Sequence, residues 1–261
     1  MKKVNITMKE DSYSFLEAIR TLRTNIQFSG DDKQIIMVTS CLPREGKTEM
    51  SIALANSLAE IDKKVILIDA DMRKSYMAVR LEAQGVEYGL SHVLSGQCAV
   101  GEAICSTNIS KMHILFSGPM APNPTELLET KRFEGILNAM RSVYDYIIID
   151  CPPLGLVVDA AVIAKKCDGS IFVVEADSTK YRLAQDVKNK LVGTKTPILG
   201  VVLNKIDVKR NKGYYSKYYG KRYGGKRGYG YGYGGEGYGY YGVEKSNKSK
   251  KKLFRTKQDE K

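Results

Sequence analysis

Six mostly apolar runs recur along residues 35–204, and segments with helical spacing separate them. The runs are IIMVTS at 35–40, KVILIDAD at 64–71, MHILFS at 112–117, YIIID at 146–150, SIFVVEA at 170–176 and ILGVVLN at 198–204. Most are continuous rather than alternating, which is typical of strands buried on both faces of a parallel sheet. Helical patterns at 11–28, 48–61, 89–95, 124–142, 158–166 and 180–192 supply the crossovers. The sequence therefore predicts an α/β fold: a doubly wound, mostly parallel sheet with helices on both faces, whose ligands bind beyond the carboxyl ends of the strands.

The composition changes sharply near the C-terminus. Residues 209–261 contain 16 Lys or Arg and 4 Asp or Glu, so the whole net charge of +12 lies in this segment. They also contain 11 of the 17 tyrosines and 12 of the 24 glycines, but almost no aliphatic residues. Such a segment buries too little apolar surface to offset the entropy of ordering it. We therefore predict one compact domain over 1–208 and a disordered basic tail over 209–261.

Several classes of protein are excluded by composition. No apolar run approaches the ~20 residues that a membrane-spanning helix needs. The first ten residues, MKKVNITMKE, lack the apolar stretch of a signal peptide, so a cytoplasmic protein is expected. The five cysteines are scattered and form no Cys-x-x-Cys pair, which argues against a disulfide or zinc framework.

The first apolar run leads into a loop at 41–48 that ends in Gly-Lys-Thr and opens an apolar-periodic helix. This placement between strand and helix is typical of a Walker A loop, whose N–H groups surround phosphates while its Lys reaches the terminal oxygens and its Thr binds Mg²⁺. Two residues depart from the pattern, because Cys41 replaces the first Gly and Arg44 stands where a Gly is common. The residues expected to line the nucleotide are Pro43, Arg44, Glu45, Gly46, Lys47, Thr48 and Glu49.

Carboxylates follow two further predicted strands. Asp69 and Asp71 stand at the exit of the second run, and Asp150 ends YIIID before two prolines force the chain out of the strand. Buried carboxylates are unfavourable unless they meet a cation or leave the core, so Mg²⁺ or a reacting hydroxyl is their natural partner. Each alone is compatible with an ordinary turn, but together with the loop they indicate a nucleotide site.

The trio TSCLPREGKT, VILIDADMRKS and YIIIDCPP resembles the Walker A, A′ and B motifs of bacterial protein-tyrosine kinases, the BY-kinases of capsule and exopolysaccharide synthesis. Those enzymes use a P-loop ATPase fold. The spacing Glu17-x-x-Arg20-x-x-Arg23 and the terminal tyrosine cluster agree with the resemblance. The same trio resembles chromosome-partition and division-site ATPases, but these carry a second Lys near the start of the loop, where this chain has Leu42.

The resemblance implies a non-specific protein-tyrosine kinase that uses ATP and Mg²⁺. Lys47 would bind and polarise the terminal phosphates, and Thr48 would hold Mg²⁺. Asp69 and Asp71 would divide metal coordination and proton acceptance from the tyrosine hydroxyl, with the assignment of the base left open. Asp150 would hold Mg²⁺ through water.

Asn204, at the end of GVVLN, is similar to a residue that contacts adenine in related ATPases. An ordinary strand-end turn Asn is an equally good interpretation of the same residue.

Glu17, Arg20 and Arg23 form a stripe beside the predicted apolar face of the helix at about 11–28. By itself this pattern favours a solvated face with a weak Glu17–Arg20 pair. The resemblance instead implies subunit contacts in a ring homo-oligomer, in which one active site phosphorylates a neighbour's tail. The expected phosphoacceptors are Tyr214, Tyr215, Tyr218, Tyr219, Tyr223, Tyr229, Tyr231, Tyr233, Tyr238, Tyr240 and Tyr241.

The resemblance also implies partners and a place of action. It predicts regulation of capsular or extracellular polysaccharide biosynthesis and export, a membrane activator of the chain-length-regulator type, an opposing tyrosine phosphatase, and recruitment to the inner face of the cell membrane. The tail alone is compatible with anionic lipid or RNA, but an ATP site without a nucleic-acid-binding fold makes nucleic acid the weaker choice. The alternative function is a non-kinase ATPase of the partition or positioning type whose basic tail binds a membrane or RNA.

The charge of the tail is expected to vary with phosphorylation. Each phosphotyrosine adds about −1.5 to −2 charges, so roughly six to eight phosphates would neutralise the tail. The unmodified tail would attract anionic lipid, and the phosphorylated tail would not.

Overall fold

A computed structural model describes residues 1–8 and 12–207 of the 261-residue chain. Two predictions lie outside the described residues: the disordered tail at 209–261 and all eleven phosphoacceptor tyrosines.

The described residues form one mostly parallel sheet. Its strands are β1 Lys2–Val4, β2 Ile35–Ser40, β3 Val65–Asp69, β4 Cys105–Thr107, β5 Met112–Leu115, β6 Tyr146–Asp150, β7 Gly169–Glu175 and β8 Ile198–Asn204. Their order across the sheet is β1-β4-β5-β3-β6-β2-β7-β8, and only the β4–β5 pair is antiparallel within these residues. The three strands predicted to carry the motifs, β3, β6 and β2, are therefore adjacent.

Alternate side chains of the central strands enter two separate cores. In β2, Ile35 and Met37 pack into one core, whereas Ile36 and Val38 pack into the other, and all four are fully buried. Because both faces are covered, the strands require continuous apolar runs rather than alternating ones. The predicted doubly wound α/β fold is confirmed.

Helices cover both faces of the sheet. They are α1 Tyr13–Phe28, α2 Lys47–Glu60, α3 Met77–Arg80, α4 Leu90–Leu94, α5 Val100–Ala103, α6 Pro124–Glu129, α7 Lys131–Arg141, α8 Asp159–Ala164 and α9 Tyr181–Gly193. Ser12 caps α1, because its hydroxyl accepts a hydrogen bond from the N–H of Phe15. None of the helices in the described ranges is both long and apolar enough to cross a bilayer.

The boundaries differ from the predictions in two respects. The short elements β1, α3, α5 and β4 were not predicted, because three or four residues are too few to show a period. The predicted helix at 124–142 is two helices, α6 and α7. They meet at Thr130, whose ψ of 149° is extended. The Thr130 hydroxyl donates to the carbonyl of Leu127 (2.7 Å) and accepts from the N–H of Phe133 (3.3 Å).

We predict that Thr130→Ala lowers the free energy of unfolding by about 1 kcal/mol, because α7 loses its N-cap acceptor. Thr130→Ser keeps the hydroxyl and is expected to remain close to the wild type. Urea unfolding of the two variants measures the difference. Equal stability of the Ala and Ser variants would contradict the capping role.

Candidate active site

The loop between β2 and α2 takes its shape from two residues in the left-handed region. Gly46, just before α2, has φ +96°, and a Cβ at this position would lie 2.1 Å from Nδ2 of Asn204. Only glycine tolerates both the angle and the contact. Arg44 has φ +67°, which explains why a Gly is common at this position of such loops.

Hydrogen bonds within the loop, from the segment after β7 and from the end of β8 hold this loop in place. The buried carboxylate of Glu45 accepts from the N–H of Leu42 (2.9 Å) and from the hydroxyl of Thr179. Asn204 donates its amide to the carbonyl of Glu45 (2.9 Å), and Lys205 donates its ammonium to the carbonyl of Arg44 (2.6 Å). The carbonyls of Arg44 and Glu45 are thus turned toward the end of β8. The N–H groups of the loop are then left to bind an anion such as a phosphate.

These contacts bear on three of the predicted nucleotide ligands. The Asn204 amide bonds the loop backbone, and its contact with adenine stays a prediction. The carboxylate of Glu49 pairs with Arg80 of α3 (Nη2 to Oε2 2.7 Å), so its backbone N–H is the group left for a phosphate. Pro43 has no N–H and contributes only to the shape of the loop.

Lys47 lies among the carboxylates predicted from the three motifs. Its Nζ is 3.5 Å from Oδ2 of Asp71 and 3.6 Å from Oδ2 of Asp150. The same Asp150 oxygen accepts from the Thr48 hydroxyl at 2.7 Å. Ser51, one turn further along α2, donates to the other Asp150 oxygen at 3.2 Å and was not predicted as a site residue. The ends of β2, β3 and β6 therefore meet around one ammonium group.

Asp69 is brought to the same place by strand register. It is the pairing partner of Asp150 across the parallel β3–β6 ladder. Its Oδ1 accepts from the N–H of Asp71 (3.2 Å), and its Oδ2 accepts from the hydroxyl of Ser75. Asp69 and Asp150 are each about 1% exposed, so neither is hydrated by bulk water.

The buried charges do not balance. Burial, followed by the negative charge of Asp150, raises the pKa of Asp69 to about 7. Burial also raises the pKa of Asp150, although Lys47 and Thr48 oppose the shift. Burial lowers the pKa of Lys47, but the carboxylates of Asp150, Asp71 and Asp69 outweigh it and the pKa is raised overall. Ionisation of all three carboxylates would leave an excess of two negative charges, which a cation would offset.

The donor set fits a hard cation bound together with a nucleotide. Thr48 and Asp150 supply adjacent oxygen donors of the type that Mg²⁺ prefers. Within residues 1–8 and 12–207, no three His, Cys, Asp or Glu side chains form a metal site by themselves. Mg²⁺ usually takes most of its ligands from water and phosphate oxygens.

We predict that Asp69→Asn stabilises the nucleotide-free protein increasingly as the pH rises. The pKa of Asp69 is raised in the folded state, so its stabilising contribution is complete below pH 4 and is lost as the pH rises toward 7. Asn cannot ionise, so the unfolding free energy of the variant relative to wild type should grow by about 2 kcal/mol from pH 5.5 to 8. Urea unfolding in EDTA at both pH values measures this difference.

Ser75→Ala is the companion variant for this prediction. The Ser75 hydroxyl lowers the pKa of Asp69, so its removal should shift the loss of stability to higher pH. A pH-independent difference between Asp69→Asn and wild type would contradict the raised pKa of Asp69.

Comparisons with known proteins agree with this geometry. Residues 33–184 match the family model of an AAA domain. The tyrosine-protein kinase CpsD of Streptococcus agalactiae is 42% identical over 208 residues, which cover 79% of this chain and 90% of CpsD. The tyrosine-protein kinase YwqD of Bacillus subtilis is 35% identical over 219 residues, covering 82% of this chain and 92% of YwqD. Among solved structures, the kinase domain of Escherichia coli tyrosine kinase ETK has a TM-score of 0.70 at 31% identity and covers 84% of this chain and 80% of that domain.

These similarities extend over most of the chain and over most of each relative. The family-model match includes Lys47, Asp69 and Asp150, and the fold built around these residues is that of a nucleotide-binding P-loop protein. The chain therefore belongs to the bacterial protein-tyrosine kinases, and it is a tyrosine-protein kinase with a P-loop ATPase fold.

Proposed function

We propose that this kinase transfers the γ-phosphoryl group of Mg²⁺-bound ATP to tyrosines of its own C-terminal cluster, in trans within a ring oligomer. It thereby regulates capsular or extracellular polysaccharide biosynthesis and export. One observation carries the proposal: the Lys47 ammonium lies 3.5 Å from the carboxylate of Asp71, just after β3, and 3.6 Å from that of Asp150, the last residue of β6. One ammonium group and two carboxylates, each from a different motif, thus meet at the carboxyl edge of the sheet. Such an arrangement suits phosphoryl transfer to a hydroxyl.

The chain's own residues divide the work of the reaction. Lys47 leaves its carboxylate partners and stabilises negative charge on the transferring phosphoryl group, while N–H groups of the loop and of the start of α2 surround the other phosphates. Thr48 would hold Mg²⁺ directly and Asp150 would hold it through water, and the bound cation would neutralise further phosphate charge.

Asp71 is our candidate for the base that takes the proton of the tyrosine hydroxyl, whose unperturbed pKa is about 10. It is 6% exposed against 1% for Asp69, so a substrate hydroxyl reaches it more easily. Asp69 accepts hydrogen bonds from Ser75 and from the Asp71 N–H, and Asp71 accepts one from the Lys74 N–H (3.0 Å), so the greater exposure of Asp71 is what favours it as the base.

The position of β8 supports the tail as a substrate. β8 ends at Asn204, and Asn204 and Lys205 both donate to carbonyls of the phosphate-binding loop. The end of β8 and the phosphate-binding loop therefore lie at the same edge of the sheet. Covalent attachment of the acceptor tyrosines to the kinase raises their local concentration for the active sites of an oligomer.

The predicted oligomerisation residues occupy two different environments on α1. Glu17 and Arg20 pair with each other at 2.5 Å on the exposed side of the helix. Arg23 instead reaches α2, where its Nη1 donates to the carbonyl (2.7 Å) and hydroxyl (3.0 Å) of Ser57. We therefore assign the subunit contact mainly to Glu17 and Arg20, and we assign Arg23 a second role in holding α1 against the domain.

The proposal includes a membrane setting, which rests on the likeness to the BY-kinase family. A membrane activator of the chain-length-regulator type recruits the kinase to the inner face of the cell membrane, where the basic tail also contacts anionic lipid, and a tyrosine phosphatase reverses the modification. The competing function, a positioning ATPase, is distinguished by its product: free phosphate without phosphotyrosine.

We predict phosphorylation between chains in a mixture of two variants. The acceptor carries Lys47→Met with the natural tail, and the donor keeps Lys47 but has Phe at all eleven tail tyrosines. Phosphotyrosine should appear on the acceptor when both are incubated with ATP and Mg²⁺, and on neither variant alone. If the wild type is labelled while the mixture is not, transfer occurs within one chain. Free phosphate without phosphotyrosine in the wild type would favour the ATPase.

We predict that Arg20→Ala reduces the assembled mass measured by light scattering, while its unfolding free energy stays within about 0.5 kcal/mol of wild type. Arg23→Ala, unlike Arg20→Ala, should lower the unfolding free energy, by about 2 kcal/mol, because two hydrogen bonds from a charged donor to Ser57 are lost. Arg182→Ala, at an exposed position of α9, is the matched control. A wild-type mass for Arg20→Ala would contradict the subunit contact.

A further inference from the structure

The segment that follows the A′ carboxylates is anchored by Arg73. This residue lies two positions after Asp71, and its guanidinium donates from Nε to Oδ2 of Asp159 (2.6 Å) and from Nη2 to Oδ1 (3.0 Å). Nη2 also donates to the Thr125 hydroxyl at 3.1 Å, and that hydroxyl donates to Asp159 Oδ1 at 2.5 Å. We name these three residues the A′ clamp.

The clamp joins three separate segments at the carboxyl edge of the sheet. Arg73 belongs to the loop after β3, Thr125 to the first turn of α6, and Asp159 to the start of α8. The Asp159 side chain is 1% exposed, whereas that of Arg73 is 41% exposed. A carboxylate this deeply buried is strongly unfavourable without a partner, so Asp159 constrains where Arg73 can lie.

The Asp159 side of the clamp is tied to the phosphate-binding loop. In the segment between β6 and α8, the N–H of Leu154 donates to the carbonyl of Ser40, the last residue of β2, at 2.9 Å. In the same segment, a Cβ on Gly155 would lie 2.1 Å from the carbonyl oxygen of Cys41, so the two backbones touch. Arg73 thus connects the A′ loop to a segment whose position is set by the Walker A loop.

We infer that Arg73, Asp159 and Thr125 are positioning residues that hold Asp69 and Asp71 at the correct distance from Lys47, and so govern the phosphoryl-transfer step rather than nucleotide binding. None of the three is among the residues expected to line the nucleotide. The inference rests on the kinase activity and deepens the proposed function by adding residues that act through the A′ carboxylates. A displacement of a catalytic group by about 1 Å can lower a rate 100-fold.

The geometry separates the roles of charge and shape. Arg73 makes two parallel hydrogen bonds to one carboxylate, which fixes direction as well as distance. A lysine would keep the positive charge near Asp159 but could not reproduce the planar fork. Arg73→Lys therefore tests positioning while avoiding an unpaired buried charge, and Thr125→Val tests the third member without removing any charge.

The chain contains a matched control for this pair. Arg141 and Asp168 form a similar two-point contact, with 2.8 Å from Nη1 to Oδ2 and 2.6 Å from Nη2 to Oδ1. Asp168 also accepts from the N–H groups of Gln34 and Ile35, at the amino end of β2 and thus at the opposite edge of the sheet from the site. Arg141→Lys should weaken a comparable contact without moving the A′ loop.

The experiment compares full-length wild type with Arg73→Lys, Thr125→Val and Arg141→Lys. Phosphotyrosine and free phosphate are both measured against ATP concentration, and ADP affinity is measured by calorimetry. We expect Arg73→Lys to lower kcat 10- to 100-fold and Thr125→Val to lower it about 3- to 10-fold, while KM for ATP and Kd for ADP change less than about 3-fold. Arg141→Lys should keep kcat within about 2-fold of wild type.

Three results would overturn the inference. They are a kcat for Arg73→Lys within 2-fold of wild type, a loss that falls on ADP affinity instead of kcat, and an equal loss of kcat in Arg141→Lys. If wild type releases phosphate but makes no phosphotyrosine, the proposed function fails. The rate of phosphate release by Arg73→Lys relative to wild type then still tests whether the A′ clamp positions the carboxylates. If Arg73→Lys does not fold, the kcat and ADP affinity of Thr125→Val test the same inference, and an unchanged kcat would overturn it.

Discussion

The arrangement of the whole site depends on three carboxylates buried around one ammonium group. Parallel pairing of β3 with β6 places Asp69 directly beside Asp150, and α2 delivers Lys47 to within 3.6 Å of Asp150. Burial and mutual repulsion raise the pKa of Asp69 to about 7, so the nucleotide-free site is unfavourable until a proton or cation balances it. The hydrophobic strands on either side supply the free energy that keeps these charges together.

The loops around these charges are held by hydrogen bonds from neighbouring elements, and two of the three motifs rely on residues outside them. The phosphate-binding loop is held by Thr179, from the segment between β7 and α9, and by Asn204 and Lys205 at the end of β8. The A′ loop is held through Asp159 and Thr125. Such contacts keep reacting groups in place before substrate binds, which is how phosphoryl-transfer sites lower the barrier.

Sequence patterns predicted the central part of the molecule well and its edges less well. The fully buried strands β2, β3 and β6 were located because long apolar runs leave few alternatives. The strands β1 and β4 are too short to show a pattern, and the break at Thr130 depends on one hydroxyl that caps the next helix. Arg23 illustrates a similar difficulty, because helical spacing placed it beside Arg20 but did not reveal its contact with Ser57.

The sequence by itself determined the fold class, the phosphate-binding loop and the carboxylates, because strand burial and loop chemistry are local properties of consecutive residues. The tertiary structure alone decided which groups meet: the Asp69–Asp150 pairing, the Asn204 contact with the loop and the Arg73–Asp159 pair join residues 81, 159 and 86 positions apart. Contacts between residues so far apart produce no periodic pattern in the sequence, because they arise from the order of the strands and the packing of the crossovers. The raised pKa of Asp69 is likewise a property of the assembled site, since it arises from burial and from a charge on another strand.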